Sequence, residues 1–328
     1  DTAAHRTIPV DVTLDERTRH SLGAGIGFST DVGPRIRTTW DQHYVNPQGH
    51  RQGAELELSR PRQNAGVYYE VPLDPPMTDS LRFTGSYQRE DIEDTESKRI
   101  STGAYWQTEL DSGWQQVLSL RREDDRFRVG DERERTLLVL PGVDYSYLNR
   151  DSPVDPSRGY RLRFEAAVGQ RDMLSDIDVL HVTAEAKGLV TVGAGGHRFL
   201  SRIKLGAVGT NNFERVPPFL RFFAGGDQSV RGYGFRTLSP RDADGDRIGG
   251  RFLATGSVEY QYPLSQSWRL AAFVDEGNAF DDLGDPLKTG VGVGVRWISP
   301  VGPIRLDIAR ALDSPENFRL HFSMGPEL

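Results

Sequence analysis

The chain has 328 residues, of which 27% are charged, 37% are hydrophobic and none is cysteine, with a net charge of −7 and a mean hydropathy of −0.53. The missing thiols exclude disulfides and thiolate-bound metals, and the acidic balance argues against nucleic acid as a partner, because phosphate binding requires a basic footprint. No apolar run approaches the roughly 18 residues of a spanning helix, so a membrane could be crossed only by a closed sheet, whose strands need about 9 to 11 residues each and face lipid with alternate side chains.

In chain order, Asp1 to Arg19 lacks a basic segment followed by an apolar one and is not a signal peptide. Residues 1–20 read as the remnant of an upstream domain and a linker, with Ile8 to Leu14 as its last strand. From there the period is two. Strands are predicted at 21–29, 34–44, 51–60, 65–73, 79–90, 97–109, 114–127, 133–149, 158–170, 176–190, 197–210, 251–262, 267–275, 288–298, 302–311 and 317–325. The plainest is the fourteenth, where Val291, Val293, Val295 and Trp297 alternate with Gly290, Gly292, Gly294 and Arg296. Sixteen is an even number, which lets an antiparallel barrel close with both ends on one side around a lumen too wide for side chains to fill. Proline-rich connections such as Asn46 to Gly49, Pro72 to Pro76, Asp151 to Gly159 and Ser299 to Pro303 fall on one side, taken as periplasmic, and the longest, Asn211 to Gly250, falls on the other. Trp40, Trp106, Trp114, Tyr262, Trp268 and Trp297 lie towards strand ends on outward parity, as interface girdles do. A soluble sandwich is disfavoured because its strands usually run about 5 to 6 residues. The fold expected is therefore an all-β transmembrane barrel of about sixteen antiparallel strands over residues 21–328.

The long loop is not built like a solvated one. Phe219, Leu220, Phe222, Phe223, Val230, Tyr233, Phe235 and Leu238 must be buried somewhere, and folding back into a wide lumen answers that need. Glycines around Gly225-Gly226-Asp227 and Val230-Arg231-Gly232-Tyr233 supply a tight turn that presents one arginine. Parity points Glu259 and Asp275 into the lumen as candidate partners for Arg231, although parity alone favours ordinary solvated carboxylates. Other motifs fail. Asp242, Asp244 and Asp246 have calcium-loop spacing, but Arg247 stands where a glycine is needed. The histidines lack metal spacing and there is no nucleophile elbow, so neither an enzyme nor a cofactor is expected.

Five motifs in order resemble the BamA/TamA superfamily of outer-membrane insertases: Val230-Arg231-Gly232-Tyr233, Ser257-Val258-Glu259-Tyr260 with Pro263-Leu264, Phe273-Val274-Asp275-Glu276-Gly277-Asn278, Asp155-Pro156-Ser157-Arg158-Gly159, and Ser299 to Asp307. The ending, Phe322 to Leu328, looks specifically like the TamA branch, although it closes on Gly-Pro-Glu-Leu instead of an aromatic residue. The resemblance implies periplasmic POTRA domains upstream and the loop folded into the lumen, with Arg231 paired to Glu259 and Asp275. It also implies a lateral gate between the first and last strands. In the first, Gly23, Gly25 and Gly27, beside Phe28, leave one face without side chains, which weakens the strand. The last carries an outward apolar stripe of Phe318, Leu320, Phe322 and Met324.

The function this predicts is assembly of β-barrel proteins, autotransporters among them, in the bacterial outer membrane. An unzipped first strand would template the incoming chain, whose backbone groups cannot stay unpaired in lipid. Implied partners are nascent outer-membrane proteins, membrane lipid and a TamB-type protein anchored in the inner membrane. Two rivals stand beside it. A transport channel, either a two-partner-secretion transporter or a porin, predicts steady conductance, and an adhesin or purely structural barrel predicts that Arg231→Ala changes nothing.

Overall fold

The computed structural model describes residues 18–153, 155–193, 195–299, 302–314 and 318–324. The expected upstream strand at Ile8 to Leu14 and the terminal Gly325 to Leu328 lie outside the described residues. Sixteen strands run in chain order: β1 (His20–Ser29), β2 (Gly33–Gln42), β3 (Arg51–Ser59), β4 (Arg62–Pro72), β5 (Ser80–Ile92), β6 (Thr95–Glu109), β7 (Gln115–Val129), β8 (Glu132–Arg150), β9 (Arg158–Gly169), β10 (Val179–Val192), β11 (His197–Thr210), β12 (Phe252–Pro263), β13 (Trp268–Phe280), β14 (Lys288–Ser299), β15 (Gly302–Ala311) and β16 (Arg319–Met324). Each pairs antiparallel with the next, in a single sheet that curls into a nearly closed barrel. One correction concerns the last strand. Phe318 precedes β16, whose ladder with β15 begins at the Ala309–Arg319 pair.

Alternation places the side chains. Leu22, Ile26 and Phe28 of β1, Ile36 of β2, Leu56 and Leu58 of β3, and Val258, Val274, Val293 and Ile308 further round are exposed on the outer wall, with Leu22 at 84% and Ile26 at 86%. An apolar surface this continuous is compatible with lipid and not with water, so the barrel spans a membrane. Trp268 and Trp297, opposite each other on β13 and β14, stack with ring centroids 5.5 Å apart near the proline-rich end.

The residues between β11 and β12 enter the lumen. Val216, Leu220, Phe222 and Ala224 of the loop pack against Leu138 and Leu140 of β8, Val179 of β10 and Val208 of β11. The core thus lies inside the barrel at the long-loop end, and the loop supplies what the wall side chains cannot reach to fill. Arg221 is buried in it with no carboxylate partner among the described residues; its guanidinium donates to the carbonyls of Val216, Glu214 and Ile248 at 2.7, 2.7 and 2.8 Å.

The seam between β1 and β16 differs from every other strand boundary. Among the described residues no ladder joins them. Contact is made at the long-loop end, where Thr30 N–H donates to the Phe322 carbonyl at 3.2 Å, Phe322 N–H donates to Thr30 Oγ1 at 3.1 Å, and the Phe28 and Phe322 rings lie 5.7 Å apart.

Candidate functional site

Two clusters hold the loop tip. The first centres on Arg231, only 6% exposed. Its Nε donates to Asp275 Oδ2 at 2.7 Å and its Nη2 to Asp275 Oδ1 at 2.9 Å, a two-pronged pair, and its backbone N–H reaches the same carboxylate at 3.0 Å. Nη1 donates to Glu259 Oε2 at 2.8 Å and to Asp307 Oδ2 at 3.1 Å. The guanidinium lies 3.3 Å from the centroid of the Phe273 ring. Strand parity explains the convergence: Val258, Tyr260, Ala272, Val274 and Leu306 face outward, so Glu259, Phe273, Asp275 and Asp307 face in. Arg296 of β14 completes the set, donating to both Glu259 oxygens at 2.9 and 2.7 Å and to Asp307 Oδ1 at 2.5 Å. Desolvated charges of this kind persist only when they are fully paired, and here two guanidinium forks are spread over three carboxylates.

Space for the loop comes from β14. Gly290, Gly292 and Gly294 sit on its lumenal face, where a Cβ on Gly290 would strike the Arg231 carbonyl and one on Gly294 the Asp307 carboxylate. Gly232 needs its glycine for two reasons: φ is +94°, and a Cβ would meet the backbone of Arg310 and Ala311. Tyr233 is anchored beyond it, its hydroxyl donating to Asp313 Oδ2 at 3.2 Å, and burial pushes that phenol up to about 12.

The second cluster ties the loop to both sides of the seam. Asp227 accepts from Thr30 Oγ1 at 2.8 Å, and its own N–H donates to Asp31 Oδ2 at 2.9 Å; both partners stand in the β1–β2 turn. On the other side His321 of β16 lies with Nδ1 2.6 Å from Asp227 Oδ1, while its Nε2 accepts from the Gly232 N–H at 2.9 Å. An Nε2 that accepts leaves Nδ1 as the protonated nitrogen, donating to Asp227. Ligand atoms of Asp31, Asp227 and His321 lie within 4.8 Å of one another, a spacing that suits a cation, but the Nδ1 proton occupies the lone pair a metal would need.

The structure brings Val230, Arg231, Gly232 and Tyr233 together with Glu259 and Asp275. It places Gly23, Gly25 and Gly27 on the lumenal face of β1, with nothing within 4 Å of a Cβ at Gly25. Phe28, Leu320 and Met324 lie exposed on the outer wall, with Phe322 partly covered. Sequence reasoning missed Asp307, Arg296, Phe273, Asp227 and His321. The first three were available from the same parity that picked out Glu259 and Asp275; the other two join segments 94 residues apart and carry no local signal.

A family model described as the Omp85 superfamily domain matches residues 15–327. The chain belongs to the Omp85 superfamily. One similar Omp85-type relative is the outer membrane protein assembly factor BamA of Nitratidesulfovibrio vulgaris, 27% identical over 347 residues, covering 97% of this chain and 43% of the relative. The corresponding BamA of Neorickettsia risticii is 29% identical over 192 residues, covering 53% of this chain and 25% of the relative. This chain therefore spans less than half the length of these BamA relatives. The crystal structure of BamA from Haemophilus ducreyi lacking POTRA domains 1–3 has the same fold, with a TM-score of 0.83 at 17% identity over 94% of this chain and 71% of that one.

Proposed function

We propose that this chain is the barrel of an outer-membrane assembly factor, an insertase that receives nascent β-barrel proteins at the β1–β16 seam. The observation that carries the reading is that seam: fifteen neighbouring strand pairs form ladders, whereas β1 and β16 meet through Thr30 and Phe322 at one end. Unpaired edge groups facing lipid cost several kcal/mol each, so the edges of β1 and β16 are poised to accept a strand from another chain. The loop tip bridges both sides of this seam through Asp227, and Arg231 fixes the tip to the wall behind it. On this reading the proline-rich turns face the periplasm and the long loop enters from outside. The finer assignment rests on the terminal sequence: a TamA-type factor serving autotransporters, with POTRA domains upstream and a TamB-type partner in the inner membrane.

The chain contains no cysteine, so within it the introduced thiols are the only ones. In the full-length protein, Phe28→Cys with Phe322→Cys, joined by a short thiol-reactive cross-linker, should stop autotransporter assembly, and either single variant should not. Undiminished assembly with the seam locked would refute the gate. Steady conductance of the purified protein in planar bilayers would favour the transport-channel reading instead.

A further inference from the structure

Four basic side chains stand abreast on the outer wall. Arg89 of β5 lies directly opposite Lys98 of β6, Lys98 opposite Arg126 of β7, and Arg126 opposite Arg135 of β8. All four are exposed, while Ser97, Asp125, Phe127 and Thr136, their neighbours on the other parity, are buried towards the lumen. Like charges directly opposite each other weaken a sheet, and this row contains three such juxtapositions. Among the described residues only Arg135 is directly paired, with Asp124 of β7 through bonds of 2.9 and 2.7 Å, a carboxylate that also attracts Arg126 from two residues away on the same face. Among the described residues, Arg89, Lys98 and Arg126 have no carboxylate within ion-pair distance.

Position says what the row faces. Lys98 is eight residues from Trp106 on the same strand, which at the usual rise and tilt is about 21 Å along the barrel axis. The apolar band of such barrels is about 25 Å tall, so the cations lie where hydrocarbon gives way to headgroups on the long-loop side. Towards the periplasm the outward residues become Tyr87 on β5 and Ile100 on β6, then, past Gly85 and Thr102, Phe83 and Ala104, while β7 carries Asp124 and Arg122, 3.8 Å apart, before Leu120. On β9, β10 and β12 the outward residues at the same end are Val168, Leu180 and Phe252, and β13 and β15 carry the single charges Glu276 and Arg310, so a row of adjacent cations is a feature of the β5–β8 wall. Carboxylates return in the next row outward, where Glu96 is held by Arg128 at 3.4 Å.

We propose that Arg89, Lys98, Arg126 and Arg135 form a docking site for the phosphate-bearing headgroup of an outer-leaflet glycolipid. The row is about 14 Å long, from three strand spacings, enough for more than one phosphate, and the apolar outward residues beneath it on β5, β6 and β8, either side of the Asp124 and Arg122 pair of β7, take the acyl chains. Guanidinium and ammonium groups supply charge-assisted bonds to phosphate oxygens and remove the repulsion within the row. The orientation is that of the proposed function, but lipid retention is read separately from assembly, so one can fail without the other.

The test is native mass spectrometry of the full-length protein in non-ionic detergent, incubated with bis-phosphorylated lipid A. Wild type should retain the lipid, and Lys98→Gln with Arg126→Gln should weaken retention by about tenfold or more, the loss expected for one charged contact. Arg126→Lys should largely keep it, and Arg310→Gln, an outward arginine on β15, should leave it unchanged. Normal heat-modifiable mobility checks that each variant is folded. Equal retention of dephosphorylated lipid A, or no loss in the double variant, overturns the proposal; displacement of the lipid by excess inorganic phosphate shows a simple anion site and overturns it too.

Discussion

Arg231 is the side chain on which the loop's position depends. Replacing it with alanine leaves Glu259 and Asp307 buried with their bonds from Arg296, and Asp275 buried with the Ser257 hydroxyl. Breaking a buried pair of this kind typically costs about 3 to 5 kcal/mol, and Arg231→Ala should lower the temperature at which the barrel loses its folded mobility on gels. Arg231→Lys should recover little, because an ammonium cannot reproduce the forked bond to Asp275 and the two further bonds from Nη1. Wild-type thermal stability in Arg231→Ala would remove the lumenal anchor from the scheme. Asp31, at the seam, is different in kind. Burial first, and the charge of Asp227 second, push it from 3.8 up to about 7, with Arg319 opposing. The assembled contact between Asp31 and Asp227 therefore binds a proton that the separated groups would release. Its stability is undiminished below about pH 4, falls as the pH rises from there through about 7, and is lowest above that. Protease accessibility of the loop should rise with pH across this window, and Asp31→Asn should flatten the profile. An unchanged slope in Asp31→Asn would assign the effect to another group.

At the scale of elements, the alternation that identified the strands also placed much of the site, but unevenly. All sixteen strands were legible because period-two patterning is a local property of each segment. Glu259 and Asp275 could be assigned to the lumen from their own strands, and the same step applied to β14 and β15 yields Arg296 and Asp307. Parity could not say which lumenal charges meet, since that depends on how the loop folds, and the choice of partners came from the family resemblance. The clasp of Asp227, Thr30, Asp31 and His321 was not legible at all. It joins a turn, a loop and a terminal strand that approach one another only when the barrel closes. β14 shows the other side of the same point: its glycines read as a small-residue face, and the structure gives that face a purpose, the close approach of the loop backbone. Gly290→Ala should push the loop off the wall at Arg231 and expose it to protease, with strand content unchanged by circular dichroism. Retained protection would mean that the loop has slack the packing does not suggest. The seam makes a further prediction. Amides of β1 that point towards β16 should exchange with deuterium faster than those bonded to β2, because only the latter belong to a continuous ladder.

For the molecule as a whole, the loop is a strut fixed at two places that report to different parts of the barrel. Arg231 ties it to β12, β13 and β15, and Asp227 ties it to the β1–β2 turn and to β16. Between the two anchors lie only Gln228, Ser229 and Val230, with the Ser229 carbonyl accepting from Arg202 of β11 at 2.7 Å and Val230 fully buried. So short and well-packed a segment has little freedom to let one anchor move without the other. Sites that share a rigid element show coupling energies of about 0.5 to 3 kcal/mol, whereas independent sites add within a few tenths. A cycle built from wild type, Arg231→Gln, Asp227→Asn and the double variant, read as thermal stability in the same detergent, should therefore be non-additive. The second substitution should cost less once the first has released the loop. Additive losses would mean that the anchors act separately, and the loop would then be a lumenal filler with no mechanical link to the seam. With non-additive losses, the double variant should also expose the seam. A cysteine at Phe322, in an otherwise cysteine-free chain, should react with a bulky maleimide faster in either single variant than in wild type, and little faster again in the double.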